Sequence, residues 1–362
     1  MAPTEPEWPV GFRIRPATDP GRPDAEVADV VSGRRFHWPA DALAGRILRG
    51  ELNGDRPAAW RDAVAAARDR SGLVPGWRHW QHRAWYPSDQ YYVASRRWGY
   101  RDLPDPDGAI RDATIRRYLE LDGAPDPVEP RTGPRVLLEE TALPEDASVS
   151  KLLVDRRSGR AYARKPVPLA RLSGLLWHGL AEVRAYRGRA AEEEPLSLLD
   201  SYGSALDFYV CVYSVAGLEP GVYRYGVADH DLTCIRPGDH RDAMIKVLQG
   251  MRSPATAAWT LGLVADFPRY QWRYRHEHGL RRLYMESGIL GQELVILAMA
   301  YGLSTLVTPA QRDLPYMELH ELSPDRFAPI YTLTMGWSRG NAGQLFDNEE
   351  PIAPAEIQRE GR

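Results

Sequence analysis

Hydrophobic positions recur at helical spacing early in the chain and change to alternating or continuous runs later. Within residues 36–72, Ala44, Ile47 and Leu48 fall on one face. Trp60, Val64 and Ala67 fall on another, which predicts a small helical unit. Residues 1 to about 30 are rich in Pro and Asp and read as a loose segment. Gly76 to Arg101 is a dense aromatic and basic block containing Trp77, Trp80, Trp85 and Trp98. Its rings either wrap onto the main domain or form a partner-binding surface, since Trp, Tyr and Arg dominate binding hot spots. Asp-Pro, Gly and Pro punctuation across 103–135 predicts two loops around one short helix, Ala109 to Leu121.

Beyond Leu143-Pro144 helices and strands alternate. Leu169 to Leu180 reads as an amphipathic helix, and Leu206 to Val215 as a buried strand of β-branched and aromatic residues. Gly221 to Tyr225 and Leu232 to Ile235 flank Asp229-His230-Asp231, a hairpin signal. A short helix over Met244 to Met251, a strand over Thr260 to Phe267 and a closing strand over Pro329 to Trp337 complete the pattern. Tyr284 to Tyr301 is apolar nearly all round, which predicts a central helix. This mixture predicts an α+β domain with a mixed or antiparallel sheet flanked by helices. The boundaries follow: an N-terminal extension over 1–143, helical and aromatic-rich, a sheet domain over 144–345, and a tail over 346–362.

Composition narrows the function classes. The 362 residues are 43% apolar, enough for a sizeable core, and the formal net charge is -3. That balance argues against a protein held on nucleic acid by bulk basicity. Two cysteines, Cys211 and Cys234, lie in strand-like runs, so neither a disulfide framework nor a cysteine zinc site is expected. No basic-then-apolar signal segment opens the chain. The run Ile289 to Leu303 is interrupted by Gln292 and Glu293 and is too short for a bilayer. The expectation is a cytoplasmic protein without a membrane partner.

The sharpest local feature is Asp155-Arg156-Arg157-Ser158-Gly159-Arg160. Forked guanidinium donors and a hydroxyl at this density suit phosphate oxygens. A solvated surface loop accounts for the same residues. His276-Glu277-His278 has i, i+2 spacing, which separates the imidazoles on a helix and argues against a metal pair. Gly203-Ser204 lacks a nucleophile elbow, and no Gly-x-Gly-x-x-Gly follows a strand.

Four segments in order along the chain resemble the nitroreductase-fold flavoproteins. RRSGRAYARKPVPLARLSGLLWHG, from Arg156, is similar to their opening segment. YGSALDFYVCVYSVAGLEPGVYRYGVADHDLTCIRPGD, from Tyr202, resembles the Ser-x-Gly turn, strand and hairpin of the SagB-type subgroup. ESGILGQELVILAMAYGLSTLVTPAQRD, from Glu286, is similar to the following helix and loop. IYTLTMGWSRG, from Ile330, resembles the closing strand. The resemblance implies FMN bound at a homodimer interface. It assigns the FMN phosphate to Arg156, Arg157, Ser158 and Arg160, with Arg339 as a further basic ligand. It places Ser201 and Gly203 against the flavin ring, Thr308 and Pro309 at its edge, and Gln292 in reach of flavin or substrate. Glu286 and Gly288 match the same helix motif.

The SagB-type subgroup oxidises azolines to azoles during ribosomal peptide modification. The resemblance therefore implies a peptide or peptide-like substrate and biosynthetic partner enzymes. The subgroup's Lys-Tyr pair is replaced here by Arg273-Tyr274, or by Tyr274-Arg275 without an offset. Arginine does not deprotonate in proteins, so it cannot be the base. Tyr274 and His276 are the candidate proton-transfer residues, with His278 as a further imidazole. Asp200 stands where a Pro usually opens the turn, and Tyr202 where a small residue is usual. Two other readings stay open: an NAD(P)H-dependent reductase of an unsaturated bond or nitro group, and an inactive partner protein that keeps the fold.

Overall fold

A computed structural model describes residues 12–16, 24–29, 35–39, 88–95, 105–124, 132–144, 148–192, 203 and 205–338. The chain divides into two compact units, Met1–Pro104 and Asp105–Arg362. In the first, β1 (Phe12–Pro16), β2 (Asp24–Asp29) and β3 (Arg35–Pro39) form an antiparallel meander. Phe12 pairs with Asp29, and Asp24 with Pro39. These strands correct two expectations: residues 1–30 are not uniformly loose, and the predicted helical span opens on β3. Strands of five or six residues between Pro, Gly and Asp carry too little alternation to stand out. Helix α1 (Ser88–Ser95) is the described part of the aromatic block. The predicted helices over 40–72 lie outside the described residues.

The second unit is built on a seven-stranded sheet in which every neighbouring pair is antiparallel. Its strands are β4 (Arg135–Leu137), β6 (Leu206–Val212), β8 (Gly221–Gly226), β9 (Asp231–Pro237), β10 (Trp259–Asp266), β11 (Leu303–Thr308) and β12 (Phe327–Trp337). The spatial order is β11-β12-β10-β6-β8-β9-β4. Strands β5 (Val167–Pro168) and β7 (Val215–Ala216) form a short parallel pair. Helix α2 (Ala109–Asp122) forms where Ala109–Leu121 is predicted. Because α2 and β4 belong to this unit, its packing begins well before Leu143-Pro144.

Helices cover both faces of the sheet. Helices α3 (Val149–Asp155), α4 (Leu169–Gly179), α5 (Ala181–Glu192), α7 (Phe267–Arg273) and α8 (Gly279–Ala300) accompany α6 (Arg241–Val247) and α9 (Asp313–Leu319). Successive residues of β6 point to opposite faces. Phe208, Val210 and Val212 join one core with Leu172, Leu176, Leu290 and Leu294. Tyr209, Cys211 and Tyr213 join a second with Met244, Val247 and Tyr316. Two covered faces explain why this strand reads as a continuous apolar run rather than an alternation.

Helix α8 is long and apolar enough, by length and composition, to cross a bilayer. Leu283, Leu290, Leu294, Val295 and Ala298 bury one of its faces in the core, at the expected spacing of three or four. The prediction of a helix enclosed on all sides is corrected here. Tyr284, Met285 and Ile289 are 53%, 61% and 50% exposed on the opposite face.

Candidate functional site

The Arg-Ser segment leaves α3 and runs beside strand β11. Ser158 forms a parallel bridge with Thr305, and the Gly159 N–H donates to the Thr305 carbonyl at 3.0 Å. Gly159 must be small, because a Cβ there would lie 2.7 Å from the Ser304 Cβ. The buried Tyr162 anchors the loop, its hydroxyl donating to the Gly159 and Thr334 carbonyls, each at 2.7 Å. Ala163 N–H donates to the Trp337 carbonyl at 3.0 Å. The loop is thus tied to β11 and to the end of β12, two residues before Arg339. Arg339 itself lies outside the described residues.

The guanidiniums in this loop differ. Arg156 is half-buried and makes no ion pair among the described residues. Arg157 is exposed and donates back to the Val154 and Arg156 carbonyls at 2.8 Å, closing the end of α3. Arg160 is exposed, and its charge acts on Tyr162. Guanidiniums and a serine beside a backbone loop suit an anion such as phosphate.

Strand β11 links this loop to the Thr308-Pro309 turn. Three strand steps take Thr305 to Thr308, a run of about 10 Å. Thr308 is buried, its hydroxyl accepting from the Ala310 N–H at 2.9 Å and its carbonyl from the Thr332 hydroxyl at 3.0 Å. Gly291 of α8 lies against the neighbouring Tyr331 ring, where a Cβ would approach to 2.8 Å. Gln292, the next residue, lies on the exposed side of the helix.

A second group of residues gathers where α7 meets α8. Gly203 adopts φ of +61°, in the left-handed region that glycine enters without a Cβ clash. Its carbonyl accepts from Leu206 N–H at 3.0 Å, and its N–H is among the groups that oppose the rise burial gives the Glu286 carboxyl. Ser201 lies outside the described residues. Just beyond the turn, the buried Asp207 meets Arg224 at 2.9 Å, Arg187 at 3.1 Å and Arg269 at 3.4 Å. Burial pushes its pKa up, but the Arg187, Arg269 and Arg224 guanidiniums prevail and hold it at about 2. This ionic node fixes β6, β8, α5 and α7 around the turn.

Tyr274 is half-buried with its ring centroid 4.7 Å from that of Tyr270. The Arg273 and Arg282 guanidiniums each lie 5.3 Å from the Tyr274 ring. His276 follows at 6.3 Å, ring to ring. Burial first, then the neighbouring His278, lowers its pKa, so the imidazole is neutral near pH 7. Arg282 pairs with Glu286 at 2.6 Å. The structure therefore gathers Tyr274, His276, Arg282, Glu286 and Gly203 at one corner. Sequence reading noted Glu286 only as a motif match and missed Arg282. An i, i+4 Arg–Glu pair on a predicted helix was the available signal.

The comparisons with known proteins agree with this architecture. The Nitroreductase family model matches residues 153–337. The trifolitoxin operon protein TfxC of Rhizobium leguminosarum bv. trifolii is 30% identical over 280 residues, 74% of this chain and 76% of that one. A nitroreductase-type crystal structure from Anabaena variabilis is 25% identical with a TM-score of 0.44. That match covers 53% of this chain and 38% of that one, so this chain spans well under half of its length. The E. coli microcin synthetase McbBCD complex, with truncated pro-MccB17 bound, contains a chain 16% identical with a TM-score of 0.40, covering 68% of this chain and 97% of that one. On the extent of the family match and the identity to TfxC, the chain belongs to the nitroreductase family.

Proposed function

We propose that the protein is an FMN-dependent oxidoreductase of the SagB type. It removes two electrons from a heterocycle, azoline to azole, in a peptide or peptide-like natural-product intermediate. The observation that carries the reading is the run of β11 between the anion-suited loop at Ser158–Thr305 and the Thr308-Pro309 turn. A phosphate at one end and a ring at the other, joined by a five-carbon ribityl chain, match a spacing of about 10 Å. The names of two similar proteins, a trifolitoxin operon product and a microcin synthetase complex, support a place in peptide natural-product biosynthesis.

In this reading Arg156, Ser158 and Arg160 hold the phosphate, with Arg157 and Arg339 beside it. Gly203 and Ser201 face the ring, Thr308 and Pro309 line its edge, and Gln292 reaches toward ring or substrate. Bound FMN supplies the two-electron acceptor that no side chain provides. The protein's part is to orient the heterocycle, exclude water and take a proton from it. Tyr274, set between two guanidiniums, serves proton transfer, and neutral His276 can accept the proton. The outer face of α8 joins a second copy, so the flavin lies between protomers, in a cytoplasmic homodimer served by partner enzymes.

The test is direct. The purified protein should be yellow, with a flavin absorption band that persists through gel filtration. In stopped-flow mixing, an azoline peptide should bleach that band anaerobically. Bleaching by NADPH with no response to azoline peptides would favour the reductase reading. A colourless protein that takes up no FMN would favour a scaffold role.

A further inference from the structure

A cavity of about 450 Å³ lies on the second core's side of the sheet, and none of the proposed flavin or proton-transfer residues lines it. Part of its wall is a cross-strand row. Tyr209 of β6 pairs with Arg224 of β8, and Arg224 with Thr233 of β9. Residues paired in this way project from one face of a sheet. His320 and Leu322, in the turn after α9, and Phe327 of β12 close over that row. The volume falls in the range of about 300–1,000 Å³ usual for small-molecule sites.

Two polar groups on this wall lack hydrogen-bond partners among the described residues. Both belong to side chains of residues only 1% exposed, Thr233 and His320. The Thr233 hydroxyl makes no hydrogen bond there. A valine would fill the same space without the penalty of an unsatisfied buried hydroxyl. His320 Nδ1 lies 2.8 Å from the Tyr316 carbonyl. A carbonyl only accepts, so the ring proton sits on Nδ1, and burial keeps the imidazole from taking a second. Nε2 is left as a lone-pair acceptor with no partner among the described residues. Stacking on Tyr316 at 3.9 Å and an edge contact with Tyr209 at 5.7 Å hold the plane of the ring.

The rest of the lining bears on the charge and shape of an occupant. Arg224 donates to the Asp207 carboxylate at 2.9 Å, which offsets its charge. Glu321 is exposed and turns the chain beside His320 at φ of +54°. An anion would meet Glu321 and the imidazole lone pair, and a cation would meet Arg224, so a neutral molecule fits best. Tyr209 and Phe327 offer aromatic surface and Ile235 and Leu322 aliphatic surface, which suits a flat ring.

We propose that this cavity is a second ligand site, for a neutral planar heteroaromatic molecule whose N–H donates to His320 Nε2 and whose acceptor atom takes the Thr233 hydroxyl proton. The site does not rest on the flavin reading. Ordered water is the competing occupant. The volume would take roughly fifteen waters at about 30 Å³ each, every one needing two to four polar partners. Two unpartnered side-chain groups anchor few of these.

Benzimidazole is a suitable probe, being flat with one N–H donor and one ring acceptor. The analogue 1-methylbenzimidazole keeps the shape and the acceptor and lacks the donor. Both are titrated into the full-length protein near pH 8, where they are neutral. The readouts are the methyl resonances of Thr233, Ile235 and Leu322 and the nitrogen resonance of His320 Nε2. Benzimidazole should shift the methyl signals saturably and move the Nε2 resonance toward that of a hydrogen-bonded nitrogen. The methylated analogue should bind at least about fivefold more weakly and leave Nε2 unmoved. His320→Phe keeps a ring against Tyr316 and loses the acceptor, so there the two probes should bind equally. Thr233→Val should weaken both by a similar factor. No saturable shift would mean that the cavity holds water alone, and would overturn the proposal. Equal affinity for the two probes in wild type, or a preference that survives in His320→Phe, overturns the contact with His320 and the ligand class with it. Unchanged affinities in Thr233→Val overturn the second contact. The Nε2 resonance is read in wild type, so it decides the first contact even if His320→Phe does not fold. No readout involves flavin, so a colourless protein would end the flavin reading and leave this site still decided.

Discussion

Arg156 carries a charge that the described structure does not neutralise, whereas Arg157 spends its donors on the end of its own helix. The two neighbours should therefore differ. Arg156→Ala, and likewise Arg160→Ala, should weaken FMN binding by about 1–3 kcal/mol, the usual cost of a lost charged hydrogen bond. Arg157→Ala should cost much less. Fluorescence titration of the flavin-free protein with FMN reads all three. Wild-type affinity in both the Arg156 and Arg160 variants would remove these residues from the phosphate site. Tyr274→Phe deletes one hydroxyl and leaves the ring between Tyr270, Arg273 and Arg282. Flavin content and melting temperature should hold, while turnover falls by roughly 10²- to 10⁴-fold, the range for a lost general acid–base group. Unaltered turnover would clear Tyr274 of proton transfer and direct attention to His276.

At the scale of elements, the pairing of β10 with α9 makes a sharp steric test. A Cβ on Gly262 would fall 1.8 Å from the Tyr316 Oη, and that hydroxyl is buried without a hydrogen-bond partner among the described residues. Gly262→Ala should lower stability by about 1–3 kcal/mol through overpacking. Tyr316→Phe should be neutral or stabilising, since it removes an unsatisfied buried hydroxyl, and should recover part of the Gly262→Ala loss. Chemical denaturation of the two single variants and the double variant decides this. Simple additivity would mean that the ring and strand do not compete. The Tyr316 ring also stacks on His320 at 3.9 Å. Burial pushes the His320 pKa down to about 4. The unfolded chain then binds one more proton than the native one between about pH 6.5 and pH 4, so stability falls as pH falls through that window. Above it the contribution is fully present. His320→Gln should flatten this part of the stability profile, and an unchanged slope would rule His320 out as its source. These elements were largely legible in the sequence. Helix α8 declares itself through its long apolar run from Tyr284, though not which face is buried, and the β8–β9 hairpin through its Asp-His-Asp turn. The β1–β3 meander was not, because its strands are short and set among turn residues. Of the candidate site, the Arg-Ser loop was visible as a contiguous motif. The approach of Gly203 to Glu286 was not, because these residues are far apart in the chain and only the fold brings them together.

At the scale of the molecule, the outer face of α8 is the feature that a single chain leaves incomplete. Tyr284, Met285 and Ile289 point away from the core, and the neighbouring α3 exposes Val149, Leu153 and Val154 at 61%, 52% and 72%. Six large apolar side chains exposed on two helices in contact are a surface of the kind that marks association. Covering each yields on the order of 1–2 kcal/mol, set against an association cost of roughly 4–15 kcal/mol. A twofold pairing counts every such side chain twice, so the balance favours a dimer. Ile289→Glu places a carboxylate at the centre of this face, where burial in a dimer would strand its charge. Light scattering should find wild type as a dimer and Ile289→Glu as a monomer. Because the flavin is proposed to lie between protomers, that variant should also lose its colour. Leu314 on α9 is as exposed, at 69%, but sits with the second core across the sheet. Leu314→Glu should therefore leave both mass and colour unchanged, separating the loss of this interface from a general effect of surface charge. An Ile289→Glu protein that remained a yellow dimer would place the pairing surface, and with it the flavin, somewhere other than the α8 face.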